Sequence, residues 1–369
     1  MKRFCLIILT TATLLSVVVG LAAYAAMGQS PAEDQRSMYR SSDNYRDEMF
    51  INAMPVSLKM DSNMLATTVR FFMTSNRPPQ PLTVHPITAS DFNTSPADLQ
   101  VVWLGHSSTI LDIDGVRLLV DPVFDNASPV PFTVRRFQNA PIKRDELPEI
   151  HAVVISHDHY DHLEMKTIKA LIAKTPLFIV PLGVSAHLIK WGCPADKIIE
   201  LDWWESHTVN GVDVVATPTR HFSGRTLGTR NKTQWASFVF KGPRHRAFYS
   251  GDGGYDDRFK EIGERFGPFD LTMMESGAWN KDWPDVHMFP DESVKAHIEL
   301  GGKHMLPVHW GAYDLAFHKW DDPIRKVTEH AATHGVALLT PRMGEKCIPG
   351  ESRHEAWWEP QNLAQHTHD

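Results

Sequence analysis

The residues best suited to chemistry lie in the segment 157–162, which contains three histidines and two aspartates in the order His-Asp-His-Tyr-Asp-His. Imidazole nitrogens and carboxylate oxygens are ligands of zinc and similar divalent cations, and catalytic metal sites keep one coordination position open for water. The segment follows an apolar run, residues 152–155, that is typical of a buried strand. We therefore expect a dinuclear metal site in a loop at the carboxyl edge of a sheet.

Three later apolar runs also end in a residue that can bind a metal. These runs lead to His221, Asp252 and His309. A single histidine after a strand is more often a hydrogen-bonded structural residue than a ligand. The order and context of the three, taken together with the segment 157–162, favour one shared site.

The segment 157–162 resembles the signature of the metallo-β-lactamase superfamily, in which further loops complete two metal sites. This resemblance implies an α+β fold, the metallo-β-lactamase αβ/βα sandwich with two central sheets flanked by helices. It also implies two zinc ions per chain. One metal would be bound by His157, His159 and His221, the other by Asp161, His162 and His309, and Asp252 would bridge the two.

Further stretches are similar to the branch of this superfamily that contains N-acylphosphatidylethanolamine-hydrolysing phospholipase D and its bacterial relatives. They run in the family's order between about residue 101 and residue 322, at 103–106, 121–124, 146–148, 180–183, 201–205 and 261–271. The resemblance implies a phosphodiesterase that cleaves N-acylphosphatidylethanolamine or a related phospholipid. A metal-bridging hydroxide would be the nucleophile, and the metals would polarise the phosphoryl group.

Several other residues are candidates for catalysis. His287 matches a family histidine near the substrate phosphate, so it is a candidate to bind the phosphoryl group or to protonate the leaving alcohol. We predict a catalytic role for His287 and for the metal ligand Asp161. Asp158 and Tyr160 either orient the imidazoles through hydrogen bonds or fill the turn. His106 either borders the active site or has a structural role, with its imidazole bonded to the backbone.

The segment 274–279 departs from the branch, because the lipase members have the apolar sequence Ile-Pro-Ile-Gly-Ala-Tyr where this chain has Met-Glu-Ser-Gly-Ala-Trp. Glu275 either selects a different substrate or pairs with a nearby basic group. We predict His106, Glu275 and Trp279 as substrate-binding residues. A lactonase or carboxylic ester hydrolase on the same metals is the alternative function. A non-catalytic envelope protein is a third, which the retention of all seven candidate ligands disfavours.

Composition and the N-terminal segment indicate an exported enzyme. The 369 residues are 42% hydrophobic and 22% charged, an ordinary globular balance, and the net charge of -7 argues against nucleic acid as a partner. Lys2 and Arg3 precede an uncharged run, residues 4–26, which predicts either a cleaved signal peptide or a retained membrane anchor. The positive-inside rule then places the catalytic domain in the periplasm or at the periplasmic face of the inner membrane. That oxidising compartment permits a disulfide between Cys193 and Cys347.

We predict four segments: a signal peptide or anchor (1–27), a linker and N-terminal arm (28–100), a catalytic domain (101–350) and a C-terminal tail (351–369). Strands are predicted at 101–104, 109–113, 116–120, 152–155 and 212–217, and helices at 163–173, 256–266, 291–300 and 323–334. Asp114-Gly115 and Asn210-Gly211 predict hairpin turns. Grouped hairpin strands flanked by helices suit an α+β sandwich. The expected partners are a phospholipid or other small-molecule substrate and a membrane bound through the N-terminal segment, and the oligomeric state is left open.

Overall fold

The computed structural model describes residues 2–57, 73–92, 95–130, 132–352 and 355–359, with the backbone alone for residues 2–9 and 12. In these ranges the strands are β1 (Tyr45–Arg46), β2 (Met49–Phe50), β3 (Leu99–Gly105), β4 (Ser108–Ile113), β5 (Val116–Val120), β6 (Ala152–Val154), β7 (Phe178–Pro181), β8 (Ile198–Leu201), β9 (Ser206–Val209), β10 (Val212–Thr217), β11 (Ser237–Lys241), β12 (Arg246–Tyr249), β13 (Phe269–Glu275), β14 (Gly302–Val308), β15 (Ala337–Leu338) and β16 (Lys346–Cys347). The α-helices are α1 (Lys2–Met27), α2 (Glu33–Tyr39), α3 (Met165–Leu171), α4 (Ser185–Lys190), α5 (Arg258–Phe266), α6 (Pro290–Glu299) and α7 (Asp322–His334).

Two mixed sheets of seven strands each contain β3 to β16, and β1 pairs with β2 in a small separate sheet. The first large sheet has the order β16-β3-β4-β5-β6-β7-β8, and the second has the order β15-β14-β13-β12-β11-β10-β9. Asp114-Gly115 and Asn210-Gly211 both have positive φ at the two turn residues, a conformation that matches the twist of paired strands. The two predicted hairpins are therefore confirmed, as β4–β5 and β9–β10.

Neighbouring side chains of one strand enter different cores, as the two-residue period of a strand requires. In β3, Val101 and Trp103 pack between the two sheets, whereas Val102 and Leu104 pack on the outer face of the first sheet. Helices α3 and α4 cover that outer face, and α5, α6 and α7 cover the outer face of the second sheet. The predicted α+β sandwich with two central sheets flanked by helices is confirmed.

Two predicted helices begin later than expected, because side chains and turns occupy their first residues. Helix α3 starts at Met165, since the backbone amides of His162 and Leu163 both donate to His159 O and belong to the metal-binding turn. Helix α5 starts at Arg258, whose amide donates to the carboxylate of Asp256 at 2.9 Å. Such a local bond competes with helical hydrogen bonding.

Segments on either side of the sandwich pack against it. Helix α2 and the β1–β2 hairpin place Tyr39, Tyr45 and Phe50 in the core between the sheets. Trp357 and Trp358 are buried in the same core, so packing continues beyond residue 350, and residues 360–369 of the predicted tail lie outside the described residues. The division of the chain into four segments stays a prediction.

Helix α1 occupies the predicted export segment. Among the residues that the structure describes, no helix is both long enough and apolar enough to cross a membrane. Cys193 and Cys347 are buried free thiols in different cores, so the permitted disulfide is not formed.

Replacing Phe238 with alanine is expected to lower the free energy of unfolding by about 3–5 kcal/mol, because the side chain is fully buried between the sheets. Denaturant unfolding measures this loss. Leu227→Ala is the control, since Leu227 is fully exposed and its loss should stay within about 0.5 kcal/mol. Equal losses for the two variants would contradict the position of Phe238 in the core.

Candidate metal centre

The side chains predicted as metal ligands meet at one edge of the sandwich, where strands of both sheets end. The loop after β6 carries His157, His159, Asp161 and His162, and the loops after β10, β12 and β14 carry His221, Asp252 and His309, respectively. The first sheet thus supplies four of the candidates and the second sheet three. Strand ends that lie far apart in the sequence are brought together here by the packing of the two sheets.

The first candidate ligand set consists of His157, His159 and His221. His159 Nδ1 lies 2.9 Å from His157 Nε2 and 3.3 Å from His221 Nε2. In a tetrahedral site with bonds of about 2.0–2.1 Å, ligand atoms lie about 3.3 Å apart. The three nitrogens are therefore spaced as ligands of one cation.

The second candidate set consists of Asp161, His162 and His309. Asp161 Oδ2 lies 3.5 Å from His162 Nε2 and 3.4 Å from His309 Nε2. These separations again suit a single cation. Asp161 is 14% exposed, which makes it the most solvent-accessible of the three side chains.

Asp252 stands between the two sets. Its Oδ2 lies 3.1 Å from His162 Nε2 and 3.0 Å from His309 Nε2, and 3.8 Å from the Nε2 atoms of both His157 and His221. One carboxylate oxygen therefore faces nitrogens of both sets, which is the position of a bridging ligand.

Unpaired polar atoms and local charge show that this centre fits divalent cations. His162 Nε2, His309 Nε2 and Asp252 Oδ1 are buried and have no hydrogen-bond partner among the described residues. Burial raises the pKa of Asp252, but His162 and His309 hold that pKa well below its usual value. Burial lowers the pKa of His309, yet Asp252 and Asp161 raise it to about 10. The carboxylates of Asp161 and Asp252 thus favour a positive charge beside the unpaired nitrogens of His162 and His309.

Hydrogen bonds on the far side of the imidazoles fix their ring orientation. Asp121 Oδ2 lies 2.7 Å from His162 Nδ1, and Tyr249 Oη donates to the same oxygen. Ser156 Oγ donates to Asp121 and lies 2.9 Å from His157 Nδ1. A bond at Nδ1 leaves Nε2 free for a metal, as is usual for histidine ligands. Asp121 is a site residue that was not predicted from the sequence, although its place directly after an apolar strand was a usable signal.

The backbone at this edge is strained. His106, Asp121, Ala278 and His309 have φ values of 55°, 40°, 60° and 66°, a region that residues other than glycine seldom adopt. Such conformations cost of order 1–3 kcal/mol each and persist only where the surroundings enforce them. A Cβ added at Gly277 would lie 2.0 Å from His309 O, so only glycine allows this approach.

His106 lies beside the second ligand set. Its Nε2 is 2.9 Å from Asp161 Oδ2, and its ring centroid is 4.1 Å from that of His309. Burial lowers the pKa of His106 to about 3, against the opposing effect of Asp161. The imidazole therefore contacts a candidate ligand and not the backbone. Its predicted substrate contact stays a prediction.

Asp158 and Tyr160 stabilise the turn and form no bond to the candidate imidazole ligands. Asp158 accepts hydrogen bonds from Thr233 and the Gly224 amide, at 3.0 and 2.7 Å, and pairs with His187 at 3.2 Å. Tyr160 donates to the carbonyl oxygen of Arg225 at 2.7 Å. Both residues therefore fill and fix the turn, which is the second of the two predicted roles.

A cavity of about 300 Å³ opens over the candidate ligands. Apolar side chains form much of its wall, among them Phe222, Trp283, Val286 and Leu315, with Arg230 and His287 as further polar lining residues. Arg230 is exposed and lies over the Phe222 ring at 4.6 Å. The cavity therefore offers a mixed apolar and cationic surface next to the metal centre.

The three predicted substrate-binding residues, His106, Glu275 and Trp279, are not among the residues that line this cavity. Glu275 is completely buried, and its carboxylate contacts His287 and the Met288 amide. Trp279 packs against Phe289 and His318 instead. Of the alternatives weighed for Glu275, the structure shows pairing with a nearby basic group. Trp283, four residues after Trp279, is the tryptophan of the cavity wall.

Comparison with known proteins defines the family of this chain. A family model described as the beta-lactamase superfamily domain matches residues 116–310. The uncharacterised protein Rv0906 of Mycobacterium tuberculosis is 42% identical over 344 residues, which cover 90% of this chain and 92% of that protein. The N-acyl-phosphatidylethanolamine-hydrolyzing phospholipase D 1 of Caenorhabditis elegans is 36% identical over 248 residues, which cover 63% of this chain and 69% of that protein. The isothiocyanate hydrolase structure from Delia radicum gut bacteria shares the fold, with a TM-score of 0.55 at 19% identity over 68% of this chain and 98% of that one.

The chain belongs to the metallo-β-lactamase superfamily, in the branch of N-acylphosphatidylethanolamine-hydrolysing phospholipase D. It is accordingly a metal-dependent hydrolase of that superfamily, and its fold together with the clustered histidines and aspartates implies divalent metal ions. The assignment of each ligand to one metal stays a prediction that the distances above support.

Replacing Asp121 with asparagine is expected to weaken the binding of divalent metal by roughly 10- to 100-fold, because the variant removes the charge that orients His162. Competition with a chelator measures the affinity. Asp98→Ala is the control, since Asp98 is 64% exposed and pairs with Arg244 at the surface, away from the metal ligands. If the Asp121 variant held metal as tightly as the control, the orienting role of Asp121 would be excluded.

Proposed function

We propose that this protein is a dizinc phosphodiesterase of the phospholipase D type, acting on N-acylphosphatidylethanolamine or a related phospholipid. The observation that carries the proposal is an apolar cavity placed directly over two metal-ligand sets. A phospholipid has a phosphodiester between apolar chains and a polar headgroup, so it needs both features in one site. The relation to a phospholipase D of C. elegans supports the same substrate class.

His157, His159 and His221 would hold one zinc ion and Asp161, His162 and His309 the other, with Asp252 shared. When bound, the two ions supply an activated water and polarise the phosphoryl oxygens. The residues of the chain then have separate tasks. Asp252 and Asp161 provide the negative charge that retains the cations, and the apolar wall excludes water from the acyl chains.

Two residues of the cavity are placed to handle the phosphate and the leaving group. His287 is 13% exposed and lines the cavity, so it can donate a proton to the leaving alcohol or a hydrogen bond to the phosphoryl group. Arg230 offers a guanidinium at the cavity, which suits an anionic phosphodiester.

The assay that tests the function offers N-acylphosphatidylethanolamine in detergent micelles to the full-length, zinc-loaded protein. Phosphatidate and an acylethanolamine are the expected products, and His159→Ala should lower the rate by at least about 100-fold because it removes a ligand. A simple phosphodiester and a lactone are tested in parallel. Cleavage of the lactone alone would contradict the proposal and establish the alternative hydrolase.

We also propose that helix α1 is retained as a membrane anchor and that the domain lies at the periplasmic face of the inner membrane. The C-terminal end of α1 is bound by buried side chains: Trp191 donates to Ala25 O at 2.9 Å and Arg225 donates to Ala26 O at 2.8 Å. Apolar side chains on the same helix are exposed, including Leu14, Leu15, Val17, Val18, Leu21 and Tyr24. Lipid would cover these side chains.

The intact mass of the protein purified from membranes tests whether the helix is retained. We expect the full chain of 41.7 kDa, because cleavage after Ala25 would remove the carbonyl that Trp191 binds. A mature protein that begins at Ala26 would refute the anchor and establish a signal peptide.

A further inference from the structure

Glu275 is a carboxylate at the end of β13 with no contact to solvent. Its Oε2 lies 3.0 Å from His287 Nδ1, and its Oε1 accepts a hydrogen bond from the Met288 amide at 2.7 Å. The main chain of Glu275 is fixed as well, because its amide donates to Ser250 Oγ and its carbonyl accepts from Ser293 Oγ. Both carboxylate oxygens therefore face inward, toward the loop that carries His287.

That loop has no regular secondary structure of its own between Glu275 and helix α6, so individual contacts must hold it. Glu275 bonds to the ring of His287 and to the backbone of Met288, and Val286 O lies 2.8 Å from His221 Nδ1. Hydrogen-bond contacts thus hold three consecutive residues of the loop: Val286 contacts the candidate ligand His221, and His287 and Met288 contact Glu275. The loop links the first ligand set to Glu275.

The His287 ring lies between the two ligand sets. Its centroid is 5.2 Å from that of His221 and 5.1 Å from that of His309. Because Nδ1 faces Glu275, Nε2 is the ring nitrogen left for a molecule in the cavity. With a proton on Nδ1 the ring donates to the carboxylate, so a second proton, on Nε2, is the one that can reach the phosphoryl or leaving oxygen of the substrate.

We infer that Glu275 is a positioning residue, which accepts the Nδ1 proton of His287 and fixes the rotation of its ring, so that a proton on Nε2 faces the phosphoryl group or leaving oxygen of the substrate. The inference rests on the proposed function. A buried carboxylate is costly unless it is hydrogen-bonded, and His287 and Met288 offset that cost.

A double-mutant cycle on the full-length, zinc-loaded protein tests the inference. Glu275→Gln keeps the size of the side chain and removes its charge, and we expect kcat to fall roughly 10- to 100-fold with little change in KM. In the His287→Ala background the same substitution should have no further effect, because a residue that acts through another contributes nothing once the other is gone. Effects that multiply would overturn the inference.

Metal content and a matched variant exclude a merely structural effect. Zinc per chain should be unchanged in Glu275→Gln, and a fall would show that the carboxylate acts on the metal centre, which would also overturn the inference. The control is Glu200→Gln, because Glu200 likewise accepts from a side chain, Tyr39, and from a backbone amide, that of Gly183. Its kcat should equal that of the unaltered protein.

The double-mutant cycle is measured with whichever substrate the unaltered protein cleaves. If the protein does not cleave the phospholipid, the proposed function is refuted, but the role of Glu275 can still be tested on the other substrate. If neither phospholipid, simple phosphodiester nor lactone is cleaved, nitrogen-15 NMR of the zinc-loaded protein decides it. The Nδ1 atom of His287 should carry a proton, and its signal should shift in Glu275→Gln. A His287 that carries its proton on Nε2 alone would overturn the inference.

Discussion

The main constraint on this structure is the crowding of polar groups at one buried atom. Four imidazole nitrogens lie 3.0 to 3.8 Å from the carboxylate oxygen Asp252 Oδ2. An anion and several imidazoles removed from water are costly unless charge and lone pairs are balanced, and two divalent cations provide that balance. Each ligand set takes residues from both sheets: the loop after β6 meets His221 in one set and His309 in the other. Bound metal would therefore join the two sheets and stabilise the folded domain, because the unfolded chain cannot offer either set.

Hydrogen bonds outside the ligand sets fix the position of one sheet relative to the other. Tyr249, at the end of β12, donates across the sandwich to Asp121, which follows β5. The His309 amide donates to His106 O, so the loop after β14 is fixed to the β3–β4 turn. These bonds between sheets explain how strained backbone at the site persists: the cost is offset by packing and hydrogen bonds in both halves of the domain.

The sequence predicted the parts of this molecule that depend on local chemistry. Two-residue turns marked both hairpins, and apolar runs ending in His221, Asp252 and His309 marked strand ends at one edge. The remaining features depend on tertiary contacts. Local sequence does not reveal that Asp121 faces His162, because the two are 41 positions apart. It also does not reveal that Trp283 lines the cavity whereas Trp279 packs against Phe289 and His318, since both contacts depend on how the loop after β13 folds.

Anomalous diffraction at the zinc absorption edge, from crystals of the zinc-loaded protein, tests the dinuclear centre most directly. Two peaks about 3.5–4 Å apart are expected, one bounded by His157, His159 and His221 and the other by Asp161, His162 and His309. Asp252 should lie between them. A single peak, or a peak bound by Glu275 and His287, would contradict the two ligand sets and the roles assigned to these residues.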